Sequence, residues 1–154
     1  MSGWLRKSMS EVPSAALSLG LWGAVPFLVL SVLSIFVDDL WGVNVESALI
    51  AYGAVILSFL GGVHWGMAIS WFGTEAPQIF DRRLMISVVP SLLGWLALLL
   101  PASVALLVLA ISFAAMLYID LVAAGQGQAP SWYPALRWLL TAIVIGSLIM
   151  CIVF

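Results

Sequence analysis

The sequence predicts an all-α fold, an integral membrane bundle of five transmembrane helices. Three observations carry that prediction. Of 154 residues, 64% are hydrophobic and only 8% charged, whereas soluble domains average about 45–50% apolar and about 25% charged residues. Five apolar stretches, 17–37, 45–72, 84–100, 102–123 and 135–154, approach the roughly 20 residues that cross about 30 Å of hydrocarbon. Five traverses also place all five Lys and Arg residues on one side. This composition excludes a soluble globular enzyme, a disordered tail and a disulfide scaffold. Five cations within a net charge of −2 also exclude a phosphate-binding surface, so no nucleic acid is expected as a partner.

Each span follows from local chemistry. The stretch 17–37 is too long for a signal h-region and no small-x-small cleavage site follows it, so it reads as an anchor. The loop around Asp38, Asp39 and Glu46, where 17–37 gives way to 45–72, holds no cation. Arg82 and Arg83 precede the third span. Pro101 separates the third span from the fourth. Read as one helix, these two would run roughly 60 Å, twice the hydrocarbon thickness. A hairpin broken at Pro101 follows, because proline lacks a backbone donor and clashes with the preceding turn. The run 125–130 (GQGQAP) reads as a flexible connector into the fifth span.

Arg6 and Lys7 precede the first span and Arg137 opens the fifth. The positive-inside tendency puts these ends, the N-terminus included, on the cytoplasmic side and the C-terminus outside. Trp41 falls near the outer boundary; Trp71, Trp132 and Trp138 fall near the inner one. Trp22, Trp65 and Trp95 fall deeper and are expected between helices. The loops are too short to bury a core, so residues 1–154 form a single transmembrane domain.

The second span holds the most specific packing signal. Ala54, Ser58, Gly62, Gly66 and Ser70 recur at steps of four, and Gly62 with Gly66 makes a GxxxG pair. Small residues let helices approach closely in lipid, where no hydrophobic expulsion drives them together. The row is expected to pack inside the bundle, or else to form a seam with a second copy or another subunit. Gly20 with Ala24, and Ala142 with Gly146, repeat the device more weakly. Pro26 and Pro90 are expected to kink their helices, with Ser87 or Ser91 re-satisfying freed backbone groups.

Ionisable residues inside a membrane are costly and direct the search for a site. His64 is the single histidine. It can hydrogen-bond a neighbouring helix, join a proton or quinone site, or ligate haem or metal. One histidine with Met67 a turn away is too little for a metal site, so neither metal nor cofactor is expected. Asp120, Arg137 and Arg83 count to similar depths from their helix ends, with His64 about a turn deeper. An Asp120–Arg137 pair would clamp the helix ends, or these residues would line a cytoplasm-facing polar cup. His64 would form its floor, and Tyr118 and Tyr133 its walls. No H-E-x-x-H, Walker loop, C-x-x-C or G-x-S-x-G motif is present. Cys151-Ile152-Val153-Phe154 matches a prenylation box on paper, but it lies in a span facing the non-cytoplasmic side.

The segments 19–27 (LGLWGAVPF), 51–66 (AYGAVILSFLGGVHWG), 87–95 (SVVPSLLGW) and 131–141 (SWYPALRWLLT) resemble a membrane family known as a domain of unknown function. That family includes small proteobacterial membrane proteins and a mitochondrial transmembrane protein. The resemblance implies a compact multi-span protein of a bacterial inner membrane or its mitochondrial counterpart. It marks Gly61, Gly62, His64, Trp65, Gly66, Pro90, Trp132, Tyr133 and Arg137 as motif positions without giving them roles.

The expectation is therefore a non-catalytic membrane protein. It would be an accessory subunit or assembly factor that packs against a larger membrane complex, such as an energy-converting one. Its partners would be the lipid bilayer and another membrane protein or itself. The alternative is a quinone, lipid or proton site in the polar cup. A small transporter or channel is weaker, because matching interrupted halves are missing.

Overall fold

The structure, a computed structural model, describes residues 9–70 and 77–153. Arg6, Lys7 and Trp71 lie outside the described residues. Five long helices account for most of the chain: α1 (Ser14–Leu33), α2 (Val45–Ser70), α3 (Pro77–Ala97), α4 (Ala102–Gly125) and α5 (Tyr133–Val153). Prolines mark several of their starts. Pro13 and Pro101 sit at N-caps, Pro77 opens α3, and Pro134 is the second residue of α5. A missing N–H is harmless in the first turn, where the helix offers it no acceptor.

Neighbouring helices alternate in direction. Gly61 lies against Ser87 and Ala54 against Gly94, so α2 and α3 are antiparallel. Gly53 meets Leu109 and His64 meets Asp120, so α2 and α4 run parallel. Gly20 meets Leu140 and Ser34 donates to Cys151, so α1 and α5 also run parallel. One end of the bundle therefore carries Arg82, Arg83, Asp120 and Arg137. The other carries Asp38, Asp39 and Glu46. The buried core runs down the middle through Leu49, Leu57, Leu106, Leu109 and Leu148. Within it, Phe27 meets Tyr52 and Phe113 edge-on, at centroid distances of 5.1 and 5.8 Å.

By length and apolar composition four helices qualify as membrane spans, namely α1, α2, α4 and α5; the third helix differs from expectation at its start. Helix α3 begins before its charges, so Asp81, Arg82 and Arg83 lie within its first two turns. Its apolar part, 84–97, covers only about 20 Å. The loop between α1 and α2 carries a short hairpin. Asp39–Leu40 pairs antiparallel with Val43–Asn44. Trp41 and Gly42 form the tip at φ 53° and 81°, the two positive values that a two-residue type I′ turn requires. GQGQAP is not a slack connector at its start. Gly127, at φ 75°, ends α4 in a Schellman motif with Gln128 N–H on Ala123 O and Gly127 N–H on Ala124 O.

Trp22, Trp65 and Trp95 point outward and do not pack between helices. Lipid is as apolar as a core, so nothing drives these rings inward. Ser87 donates to Leu84 O, not to Ile86 O, the carbonyl that Pro90 leaves without its helical donor.

The small-residue row of α2 does not pack inside the bundle along its whole length. Ala54 is buried and Ser58 donates to Ala54 O, but Gly62, Gly66 and Ser70 face outward. A step of four on a helix with 3.6 residues per turn rotates about 40°, so the row leaves the interface within two steps. A step of seven drifts only about 20° the other way. The row that stays buried is accordingly Ala54, Gly61 and Ala68. A Cβ on Gly61 would collide with Ser87 O. Close approach of α2 to α3 is therefore Gly61's work, with Gly94 over Ala54.

Candidate functional site

The polar residues gather at the basic end of the bundle, around Asp120. Helix α4 carries Asp120 on its inner face, where it is 1% exposed. Its carboxylate accepts from residues of two other helices. His64 Nε2 from α2 lies 2.8 Å from Oδ1. Tyr133 O–H from α5 donates to the same oxygen at 3.1 Å. Arg137 Nε, one turn further along α5, donates to Oδ2 at 2.5 Å. A buried carboxylate is tolerable only with a cation and hydrogen bonds to its remaining lone pairs, and Asp120 has both.

His64 thus sits level with Asp120, not a turn deeper. It lies six residues from the end of α2, and Asp120 lies five from the end of α4. Counting to Gly125 on α4 and to Ser70 on α2 removes most of the expected offset. Tyr118 is excluded from the cup: it is 68% exposed. Two residues correspond to about 200° around a helix, so a residue two positions before a buried Asp120 faces the opposite way. Arg83 does not join the cluster around the carboxylate. It lines a separate cleft of about 760 Å³ together with His64, Arg82 and Gln128. His64 therefore walls that cleft with one side and bonds Asp120 with the other.

Arg137 belongs to a second space. It is 7% exposed, and its Nη2 has no hydrogen-bond partner among the described residues. Thr141, one turn further along α5, is 2% exposed and its hydroxyl is likewise unpartnered. Both residues line a chamber of about 330 Å³ between α1, α2 and α5. Thr141 escaped the sequence reading, although its i+4 spacing from Arg137 puts it on the same helix face. The unpaired nitrogen had no sequence signal, since it depends on how the three donors divide Asp120's two oxygens.

Among the described residues no three His, Cys, Asp or Glu side chains gather as a metal-holding group. The cluster as built holds charge in place: one buried carboxylate takes up the hydrogen bonds of two other helices.

Residues 12–153 match the family described as "Protein of unknown function (DUF3429)". The chain is 40% identical over 145 residues to "Transmembrane protein 69" of Xenopus tropicalis, covering 93% of this chain and 55% of that protein. It is 28% identical over 145 residues to "Transmembrane protein 69" of Mus musculus, covering 93% of this chain and 57% of that protein. The chain thus spans about half the length of these relatives. No solved structure matches. A match over nearly the whole chain, on an all-helical bundle with four long apolar helices, makes this an integral membrane protein that belongs to the DUF3429 family.

Proposed function

We propose that the protein is a non-catalytic accessory subunit or assembly factor of the bacterial inner membrane or its mitochondrial counterpart. It crosses the membrane five times and seats a helix of another membrane protein on the outer face of α2. The alternating helix directions support five traverses, with α3 crossing alongside α2 and its charged first turns at the interface. The basic residues at one end support a cytoplasmic N-terminus.

The observation that carries the docking reading is the open pair Gly62 and Gly66. Both are exposed, and a Cβ on either meets nothing within 4 Å among the described residues. Glycine inside a helix costs about 1 kcal/mol relative to alanine. Gly53, Gly61 and Gly94 offset that cost by close contacts within the bundle. Gly62 and Gly66 do not, so the notch they leave suits a helix from outside.

Crosslinking in native membranes, followed by mild-detergent purification, tests this. Wild-type chain is expected to recover a defined membrane partner. A Gly62→Leu/Gly66→Leu variant, folded by its detergent elution profile, is expected to lose it. Equal recovery by both, recovery of a second copy only, or recovery of nothing would overturn the reading.

A further inference from the structure

We propose that the cleft at the basic end, together with the apolar groove that continues it between α3 and α4, seats one anionic glycerophospholipid. Its phosphate lies at Arg82 and Arg83, and one acyl chain lies in the groove. Two spaces meet there. The cleft of about 760 Å³ is lined by His64, Arg82, Arg83, Gln126 and Gln128. The groove of about 250 Å³ is lined by Val89, Pro90, Leu93, Ala115 and Met116. Ile86 and Ile119 line both, so a polar head space and an apolar tail space share a wall. On α3 the lining runs from Arg82 through Ile86 to Leu93, and on α4 it runs back from Gln126 through Ile119 to Ser112. Arg82 to Leu93 is a rise of about 16 Å, close to half of the roughly 30 Å of hydrocarbon. The site has the depth and the order of polarity of one lipid leaflet.

Both spaces can be reached from outside. Arg82 is exposed and Arg83 half-buried. Along the groove, Val89 is 47% exposed and Ala115 is exposed as well. A lipid chain can therefore enter sideways from the bilayer.

The lining selects the head group. Among the described residues no Asp or Glu lines the cleft. Asp120, behind His64, is held by Arg137. Arg83 makes a contact of its own and adds charge to the wall, while the exposed guanidinium of Arg82 can fork onto phosphate oxygens. Basic pockets between membrane helices recognise anionic head groups in this way. The ammonium of a zwitterionic lipid would meet two cations and no carboxylate. Gln128 Nε2 donates to Gln126 Oε1 at 2.7 Å, which ties two amides together in the cleft wall, beside a hydroxylated head such as glycerol. Two arginines serve a single phosphate, whereas a nucleic acid needs an extended basic surface. A soluble phosphate would use the cleft alone; the groove that continues from it favours a lipid. The inference rests on α3 lying in the bilayer beside α2 and α4. It does not need a partner helix at Gly62 and Gly66, which line neither space.

The full chain in phosphatidylcholine nanodiscs is photolabelled with a phosphatidylglycerol carrying a diazirine in one acyl chain, and separately with the matching phosphatidylethanolamine. The expected result is saturable labelling of residues 86–93 and 112–119 by the phosphatidylglycerol. Unlabelled phosphatidylglycerol should displace it and soluble glycerol phosphate should not. Arg82→Gln is expected to weaken this binding about fivefold, the worth of one cation near a membrane surface. Ala115→Trp keeps every charge, fills the groove from its exposed side and is expected to cut the labelling at least about tenfold. Should one variant not elute as folded protein, the other decides. Equal saturable labelling by the phosphatidylethanolamine would overturn the head-group assignment. Displacement by glycerol phosphate would give the cleft to a soluble phosphate ester and overturn the lipid. Unsaturable labelling, labelling outside these segments, or labelling unchanged in a folded variant would overturn the site.

Discussion

Replacing Asp120 by Asn tests how much of the bundle's stability rests on one carboxylate. The side chain keeps its shape, but two acceptor oxygens become one oxygen and one NH2 group. Three donors converge on Asp120: His64 Nε2 and Tyr133 O–H on Oδ1, and Arg137 Nε on Oδ2. With Asn, the NH2 group either faces Arg137 Nε or obliges His64 Nε2 and the Tyr133 hydroxyl to turn into acceptors, and in both cases Arg137 stays buried without its counter-ion. A lost charge-assisted hydrogen bond is worth about 1.5–3 kcal/mol, and a buried donor left unsatisfied adds about 1–3 kcal/mol. Removing one partner of a buried ion pair costs about 3–5 kcal/mol by comparison. The expected destabilisation is about 3–4 kcal/mol. The assay is reversible unfolding in mixed micelles, run as a double-mutant cycle with Arg137→Met. Because the double variant buries no unpaired charge, it should recover at least about 1 kcal/mol relative to Asp120→Asn alone. A destabilisation by Asp120→Asn below about 0.5 kcal/mol, or strictly additive single effects, would refute the reasoning.

Two further outcomes follow from the geometry. Gly61→Ala should destabilise the bundle by about 1–3 kcal/mol, because its Cβ overlaps a backbone carbonyl of α3 that cannot swing aside. Gly62→Ala, one residue away, should be neutral or stabilising by up to about 1 kcal/mol in the isolated protein; unfolding midpoints of the pair decide it. Reporter fusions at residues 8 and 153 should report opposite faces of the membrane, with the N-terminal reporter cytoplasmic. Both on one face would remove one traverse.

The helices were legible because apolar length dominates in a membrane chain, and Pro101 and Pro130 punctuate it clearly. The start of α3 was not, because Asp81, Arg82 and Arg83 look like a loop in a hydropathy reading, while Pro77 opens a helix that carries them. The three misplaced tryptophans share one cause. Burial inside a bundle and burial in lipid are nearly equivalent for an indole, so sequence cannot choose between them. The Asp120–Arg137 pairing was readable from charge economy alone, as were His64 and Tyr133 as nearby polar groups. Tyr118 was misassigned by counting depth without angle. The inward alternative for the whole Gly62–Gly66 row failed for a related reason: steps of four turn about 40° each, so only the start of the row stays in the interface. Thr141 shares Arg137's face and needed only the same angular bookkeeping.

The donors that satisfy Asp120 come from both directions along the chain. His64 is made before it, whereas Tyr133 and Arg137 are made after it. During synthesis the carboxylate therefore reaches the translocon with its cation still in the ribosome. Until α5 arrives, the carboxylate on α4 lacks its Arg137 partner. The full set of bonds around Asp120 therefore closes only when α5 packs against α4.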